Sequence, residues 1–266
     1  MARPIVTLTT DFGNSDYYVG AMKGVILAVC PEAEVVDLCH NVLAYDILDA
    51  AFTIAQSYQW FPPHTVHVVV VDPGVGSERR PLLVSGDRHL FVAPDNGVLS
   101  FIYPQQEMLS VYHITAEHYF HQPVSNTFHA RDVFASVAGW LAKGVEARQF
   151  GDPIEDYVRL AAPKAQALDA KSWKGMVLKI DRFGNVITNI SAADCPALFA
   201  QPTPPFKLTA GAQQVTRLVP NYSAGEQNEI FALVGSSGYL EIATNRGGAA
   251  KQLGVTRGAD VTVQLA

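Results

Sequence analysis

Apolar residues along the first 150 positions keep two alternating rhythms. Ile5-Val6-Thr7-Leu8-Thr9 is a short β-branched run that ends in the turn Asp11-Phe12-Gly13-Asn14-Ser15. Beyond it Tyr18, Val19, Met22, Ile26 and Val29 share one helical face, and Pro31 stops the helix. The unit then repeats. Glu34-Val35-Val36-Asp37-Leu38 predicts a strand, Ile47 to Tyr58 a helix, and Thr65 to Val71 an almost unbroken β-branched run. Such a run suits a central strand covered on both faces. Leu82 to Val84 and His89 to Val92 predict further strands, and Asp132 to Leu141 a helix. This alternation predicts an α/β layer architecture with a mainly parallel sheet. It puts Asp11 and Asp72 at the carboxyl ends of strands, where open α/β sheets hold their ligands.

After the Ala- and Pro-rich stretch from Ala161 to Ala167 the rhythm changes. Short strands are predicted at Gly175 to Ile180, Val186 to Ile190, Phe206 to Thr209, Gln214 to Leu218, Ile230 to Val234, Tyr239 to Ala243 and Val261 to Leu265, separated by Gly, Asn and Pro. A second, all-β domain follows, as a small barrel or sandwich. The expected domains are 1–166 and 172–266.

Composition narrows the function classes. The 266 residues, 48% hydrophobic and 17% charged, can fill two cores. A formal net charge of -6 leaves no basic stripe to neutralise phosphates, which argues against nucleic acid. Cys30, Cys39 and Cys195 have no CxxC spacing, so neither a disulfide framework nor a thiolate zinc site is expected. Met1-Ala2-Arg3-Pro4 lacks the apolar core of a signal peptide, and no apolar run approaches the roughly 20 residues that cross a bilayer. No membrane partner is expected, and a cytoplasmic location is the default. His113, His118 and His121 match no metal-binding signature, so no metal site is expected, and Ser77, Ser236 and Ser237 lack a GxSxG elbow.

Four constellations could carry chemistry. Asp11 either caps a helix start or accepts both hydroxyls of a ribose diol. Asp72-Pro73-Gly74-Val75-Gly76-Ser77 abuts the buried strand, and Arg79 seven residues on can fold back onto the carboxylate, as a structural ion pair or as part of a site. Asn126-Thr127-Phe128-His129-Ala130-Arg131-Asp132 stands at a helix entry, where Asp132 can be the N-cap and His129 or Arg131 can face a site. In Asp181-Arg182-Phe183-Gly184-Asn185, a hairpin turn is one reading. The other is a binding loop with an anion for an ammonium, a ring for stacking and an amide for an adenine edge.

Together with Thr9-Thr10-Asp11-Phe12-Gly13, Ala93-Pro94-Asp95-Asn96-Gly97 and Gly235-Ser236-Ser237-Gly238-Tyr239, these segments resemble the S-adenosylmethionine hydroxide adenosyltransferases (SAM hydrolases), relatives of the fluorinase and chlorinase. The likeness runs over essentially the whole chain. It implies an N-terminal Rossmann-like domain, a C-terminal β-barrel, and a homotrimer with intersubunit active sites. It implies hydrolysis of S-adenosyl-L-methionine to adenosine and L-methionine, with no cofactor because that molecule is the substrate. Asp72, Arg79 and His129 match the hydrolase triad and Asp11 the acid on the ribose diol. Asp181 matches the partner of the methionine ammonium, Asn185 an adenine partner, and Tyr222 and Tyr45 aromatics beside base and ribose. Phe128, Phe183, Ser236, Ser237 and Arg246 complete the expected substrate contacts. Asp72 stands where the halogenases carry Tyr, Ala130 where the fluorinase has a halide-contacting Ser, and a long fluorinase insertion is absent between residues 80 and 95. All three favour water over halide. Ser236-Ser237 replaces the fluorinase Ser-Arg. Halogenation and a non-catalytic adenosine-binding module are the alternatives.

Overall fold

The computed structural model describes residues 3–200 and 202–266, and the chain divides into two compact units at Ala162/Pro163. The first contains β1 (Ile5–Thr10), α1 (Tyr18–Val29), β2 (Glu34–Cys39), α2 (Ile47–Ser57), β3 (Val66–Val70), β4 (Pro81–Ser85), β5 (Leu90–Pro94), β6 (Ser110–His113) and α3 (Ser136–Ala142). Its six-stranded sheet has the order β2-β1-β3-β5-β4-β6. The first four strands are parallel, β4 runs antiparallel beside β5, and β6 pairs antiparallel with β4 and so runs in the direction of the first four. The sheet is mainly parallel and Rossmann-like, as the alternation predicts. The short, half-polar β6 carries little periodicity and was not expected.

All five residues of β3 are buried. Val66, Val68 and Val70 pack with Met22, Ile26 and Val137 on one face, while Val69 and Val71 pack with Ala50 and Ile54 on the other. Each such side chain contributes roughly 1.5–3 kcal/mol by leaving water. That packing fixes where β3 ends and Asp72 begins.

The helix expected from Asp132 is entered earlier, through a π-helical turn at Ala130–Ala135 that runs into α3. Asp132 is fully buried inside it and does not act as the N-cap. Its carboxylate instead accepts the Ser125 amide at 2.9 Å and the Nε and Nη2 of Arg131. An acid aimed back at the preceding loop serves to fold that loop, and π-turns of this kind gather at functional sites.

The second unit holds β7 (Gln166–Ala167), β8 (Ser172–Ile180), β9 (Val186–Ser191), β10 (Phe206–Ala210), β11 (Gln213–Val215), β12 (Ile230–Val234), β13 (Tyr239–Thr244), α4 (Ala249–Leu253) and β14 (Asp260–Leu265). The strands form an antiparallel sheet in the order β11-β10-β14-β8-β9-β13-β12, with β7 on β8. A bridge between Leu218 and Ala232 brings its two ends together, so the sheet is a nearly closed barrel. Alternate residues such as Val186, Leu208, Leu240, Ile242, Val261 and Val263 fill the interior with Ala249 and Leu253 of α4. No helix among the described residues is long and apolar enough to cross a membrane.

Candidate active site

β1 and β3 are adjacent parallel strands, with Thr10 in register with Val70. Asp11 and Asp72 therefore leave the sheet side by side at its carboxyl edge. The loop after Asp72 turns through Gly76, whose φ is +78°; a Cβ there would lie 2.2 Å from the Asn126 carbonyl oxygen. Only glycine permits that approach, and it draws the Asp72 loop against the segment that carries His129.

Arg79 closes the group. Its Nε donates to both Asp72 oxygens, at 3.0 and 2.8 Å, and its Nη2 donates to Oδ2 and to His129 Nδ1 at 3.0 Å. The side chains of Arg79 and Asp72 are 9% and 5% exposed, so water screens the pair weakly. The Arg79 plane also lies 5.1 Å over the Phe134 ring. Nη1 is buried and has no hydrogen-bond partner among the described residues. Because a guanidinium only donates, His129 accepts through Nδ1 and carries its proton on Nε2. Burial, and then the charge of Arg79, hold the His129 imidazole below the usual histidine value, which favours the neutral ring.

The neighbouring cationic residues go elsewhere. Arg80 donates to Asp95 at 2.9 Å and to Asp156 at 2.8 Å, and Arg131 stacks 4.9 Å over Phe128. Phe128 is mostly buried against Phe12 and Tyr18, and touches a separate cavity of about 320 Å³ that Tyr17, Ser125 and Arg131 also line. Asp11 Oδ2 accepts the backbone amide of Tyr45 at 2.8 Å. Tyr45 itself has φ +65° and is 75% exposed.

In the barrel unit, Asp181 organises the β8–β9 hairpin. Oδ1 accepts the Phe183 and Asn185 amides and Oδ2 accepts the Asn185 side chain, each at 2.9 Å. Gly184, at φ +83°, lies so near Gly248 that a Cβ would stand 2.7 Å from its Cα. The hairpin reading and the binding-loop reading are thus compatible. A cavity of about 530 Å³ opens beside the loop, lined by Asp181, Phe183, Asn185, Tyr222, Thr244, Arg246 and Gly247. Ser236 and Ser237 sit in the β12–β13 turn and are not among its walls. Each unit thus brings part of the expected set together.

The profile of the SAM hydroxide adenosyltransferase N-terminal domain matches residues 6–151, and that of the C-terminal domain residues 175–262. The chain belongs to the SAM hydroxide adenosyltransferase family. A protein named (R)-S-adenosyl-L-methionine hydrolase from Methanocaldococcus jannaschii is 33% identical over 94% of this chain and 92% of its own length. One of the same name from Thermus thermophilus is 32% identical over 97% and 98%. A fluorinase from Nocardia brasiliensis is more distant, 26% identical over 99% and 97%. Among solved structures, an uncharacterized conserved protein from Thermotoga maritima superposes with a TM-score of 0.90 at 32% identity, covering 98% of this chain and 99% of that one.

Two features of this family member escaped the sequence reading. Glu241, 5% exposed on β13, accepts the Tyr222 hydroxyl at 2.8 Å, and burial raises its carboxyl above the usual range. A charged residue at an alternate position of a barrel strand was the available signal. His40 links Asp37 to Thr10 behind the Asp11 turn. Its signal was Asp37-Leu38-Cys39-His40 at the carboxyl end of a parallel strand.

Proposed function

We propose that this chain is an enzyme that hydrolyses S-adenosyl-L-methionine to adenosine and L-methionine. The observation that carries the reading is the Arg79 guanidinium held between Asp72 and His129 at the carboxyl edge of the sheet. A sulfonium is already a good leaving group, so the barrier lies with the nucleophile. Water, with a pKa of about 15.7, must lose a proton as it attacks. Its oxygen bonds to C5′ while the C5′–S pair leaves as the thioether of methionine, and one proton is released.

Asp72 orients the water and accepts its hydrogen bond. Arg79 fixes the direction of that carboxylate by a two-pronged contact. Asp72 takes up the released proton, and His129 passes it to solvent by giving up its Nδ1 contact with Arg79 and accepting the proton there while Nε2–H releases one, so the three groups act as a coupled set. In the same reading Asp11 holds the ribose diol and Tyr45 stands near the ribose. Asp181, Phe183, Asn185, Tyr222 and Arg246 serve the rest of the substrate, with Ser236, Ser237 and Phe128 in supporting roles. The cavity beside Asp181 has the size of a nucleoside site, which supports that assignment. Water is favoured over halide because an acid and not a phenol stands at position 72 and Ala130 offers no hydroxyl. The proposal includes a homotrimer working in the cytoplasm without a cofactor.

The test is turnover in ¹⁸O-water with chloride present, read by mass spectrometry. Labelled 5′-hydroxyl adenosine and methionine are expected, and 5′-chloro-5′-deoxyadenosine or unchanged substrate overturns the reading. Asp72→Ala abolishes turnover but retains adenosine binding; loss of binding alone removes Asp72 from the role assigned to it.

A further inference from the structure

Behind the Asp11 turn lies a chain of polar contacts that reaches the surface of the α/β unit. The exposed Lys23 ammonium donates to Asp37 Oδ2 at 2.7 Å. Asp37 Oδ1 lies 2.9 Å from His40 Nε2, and His40 Nδ1 lies 2.9 Å from Thr10 Oγ1. Thr10 Oγ1 in turn accepts the Phe12 amide at 3.3 Å. Thr10 is fully buried and His40 is 4% exposed.

Chemistry gives this chain a direction. Asp37 takes both Lys23 and His40, and its carboxyl is held below the usual range by those two contacts, against the effect of burial. An ionised carboxylate only accepts, so His40 carries its proton on Nε2. In the neutral ring Nδ1 is then an acceptor and receives the Thr10 hydroxyl proton. The lone pairs of that hydroxyl are left for the Phe12 N–H, the amide that follows Asp11. A hydroxyl, an imidazole and a carboxylate in this order also resemble a nucleophilic triad. Thr10 has no exposure, however, and its oxygen is already occupied by Phe12, so no substrate atom reaches it.

The backbone of the same segment grips the turn from the other side. Gly13 N donates to the His40 carbonyl at 2.8 Å, and Tyr45 N donates to the Asp11 carboxylate itself at 2.8 Å. Asp11 is thus flanked by contacts that all depend on the segment from His40 to Tyr45.

We propose that Asp37, His40 and Thr10 are positioning residues that hold the Asp11 carboxylate in the orientation for a ribose diol. None of the three touches substrate; each acts through the Phe12 amide and the turn. The inference rests on the reading of this family member as a binder of adenosine through Asp11. It predicts a defect specific to the diol, which a general loss of stability does not produce.

The experiment is titration calorimetry of the full chain with adenosine and with 2′,3′-dideoxyadenosine. Thr10→Val keeps the shape of the side chain and removes the hydroxyl. It is expected to weaken adenosine by about tenfold, the worth of one well-placed hydrogen bond, and to leave the dideoxy ligand within about twofold. Thr10→Ser returns the hydroxyl and recovers most of the loss. Asp37→Asn, at the half-exposed end of the chain, gives a smaller diol-specific loss of about threefold. Equal weakening of both ligands by Thr10→Val, or no weakening of either, overturns the proposal. Should the wild-type protein bind adenosine no better than the dideoxy compound, the assignment of Asp11 to the diol fails first. A wild-type diol preference that Thr10→Val leaves intact overturns the positioning chain alone.

Discussion

In the α/β unit Asp72, Arg79 and His129 meet across separations of 7 and 50 positions, whereas in the barrel unit Asp181, Phe183 and Asn185 lie within four positions of one another in one hairpin. The first group is assembled by a buried guanidinium. The second is assembled by the Phe183 and Asn185 backbone amides and the Asn185 side chain, all donating to the Asp181 carboxylate at the head of the turn. Long-range assembly concentrates its energy in one side chain, since taking Arg79 away strands a buried acid. Local assembly spreads its energy over short contacts that the hairpin itself enforces.

Arg79→Leu tests the first mode hardest. An uncompensated Asp72 costs about 3–5 kcal/mol where a buried pair loses one member, and the lost donors lower kcat by about a thousandfold. Adenosine affinity changes by less than about threefold. Steady-state kinetics beside denaturant unfolding check this, and a variant with kcat near wild type breaks the contrast.

The two units also respond oppositely to acid at their buried groups. His67 is fully buried, 2.7 Å from Thr7 Oγ1 and stacked on Phe91, and burial lowers its pKa to about 3, helped by His89. Its folded value lies below the unfolded one, near 6.5. The stability it contributes as a neutral ring is therefore complete above pH 6.5 and falls as the pH drops toward 3, by up to about 1.4 kcal/mol per pH unit. Glu241 in the barrel has a raised value, so its contribution is present at low pH and is lost as the pH rises above the ordinary carboxyl range. Urea unfolding between pH 8 and pH 4 is expected to show a steeper acid limb for wild type than for His67→Phe. Parallel limbs would remove His67 as its origin.

The smallest effect tests local assembly. Gly184→Ala introduces a Cβ at positive φ against Gly248, and the displaced loop is expected to weaken adenosine binding by about tenfold, or 1.4 kcal/mol. Asp72, Arg79 and His129 are untouched, so turnover at saturating substrate stays within about threefold. A fall in kcat as large as that from Arg79→Leu would erase the distinction.

Legibility in the sequence followed the same division. The Asp181 loop was readable because its turn chemistry, acid, glycine and asparagine, is contiguous. The pairing of Arg79 with Asp72 was readable because seven residues with glycines can turn back. Where Arg80 goes was not, since its partners Asp95 and Asp156 lie 15 and 76 positions away. The N-cap role open to Asp132 is not the one it takes, because the helix begins earlier through a π-turn, whose extra residue leaves no periodic mark. His40 and Glu241 escaped because their partners, Thr10 and Tyr222, are 30 and 19 positions away.

The sequence by itself determined the layers: β-branched runs and helical faces in one half, alternating short strands in the other, and acids where parallel strands stop. Those features follow from local propensity and the need to bury apolar faces, which any chain carries in its own pattern. Tertiary structure alone decided that β4 runs against both of its neighbours and that the barrel nearly closes. It also decided that one guanidinium bridges Asp72 and His129. Each of these depends on contacts between segments far apart in the chain, where register and side-chain choice are set by packing and not by the residues on either side.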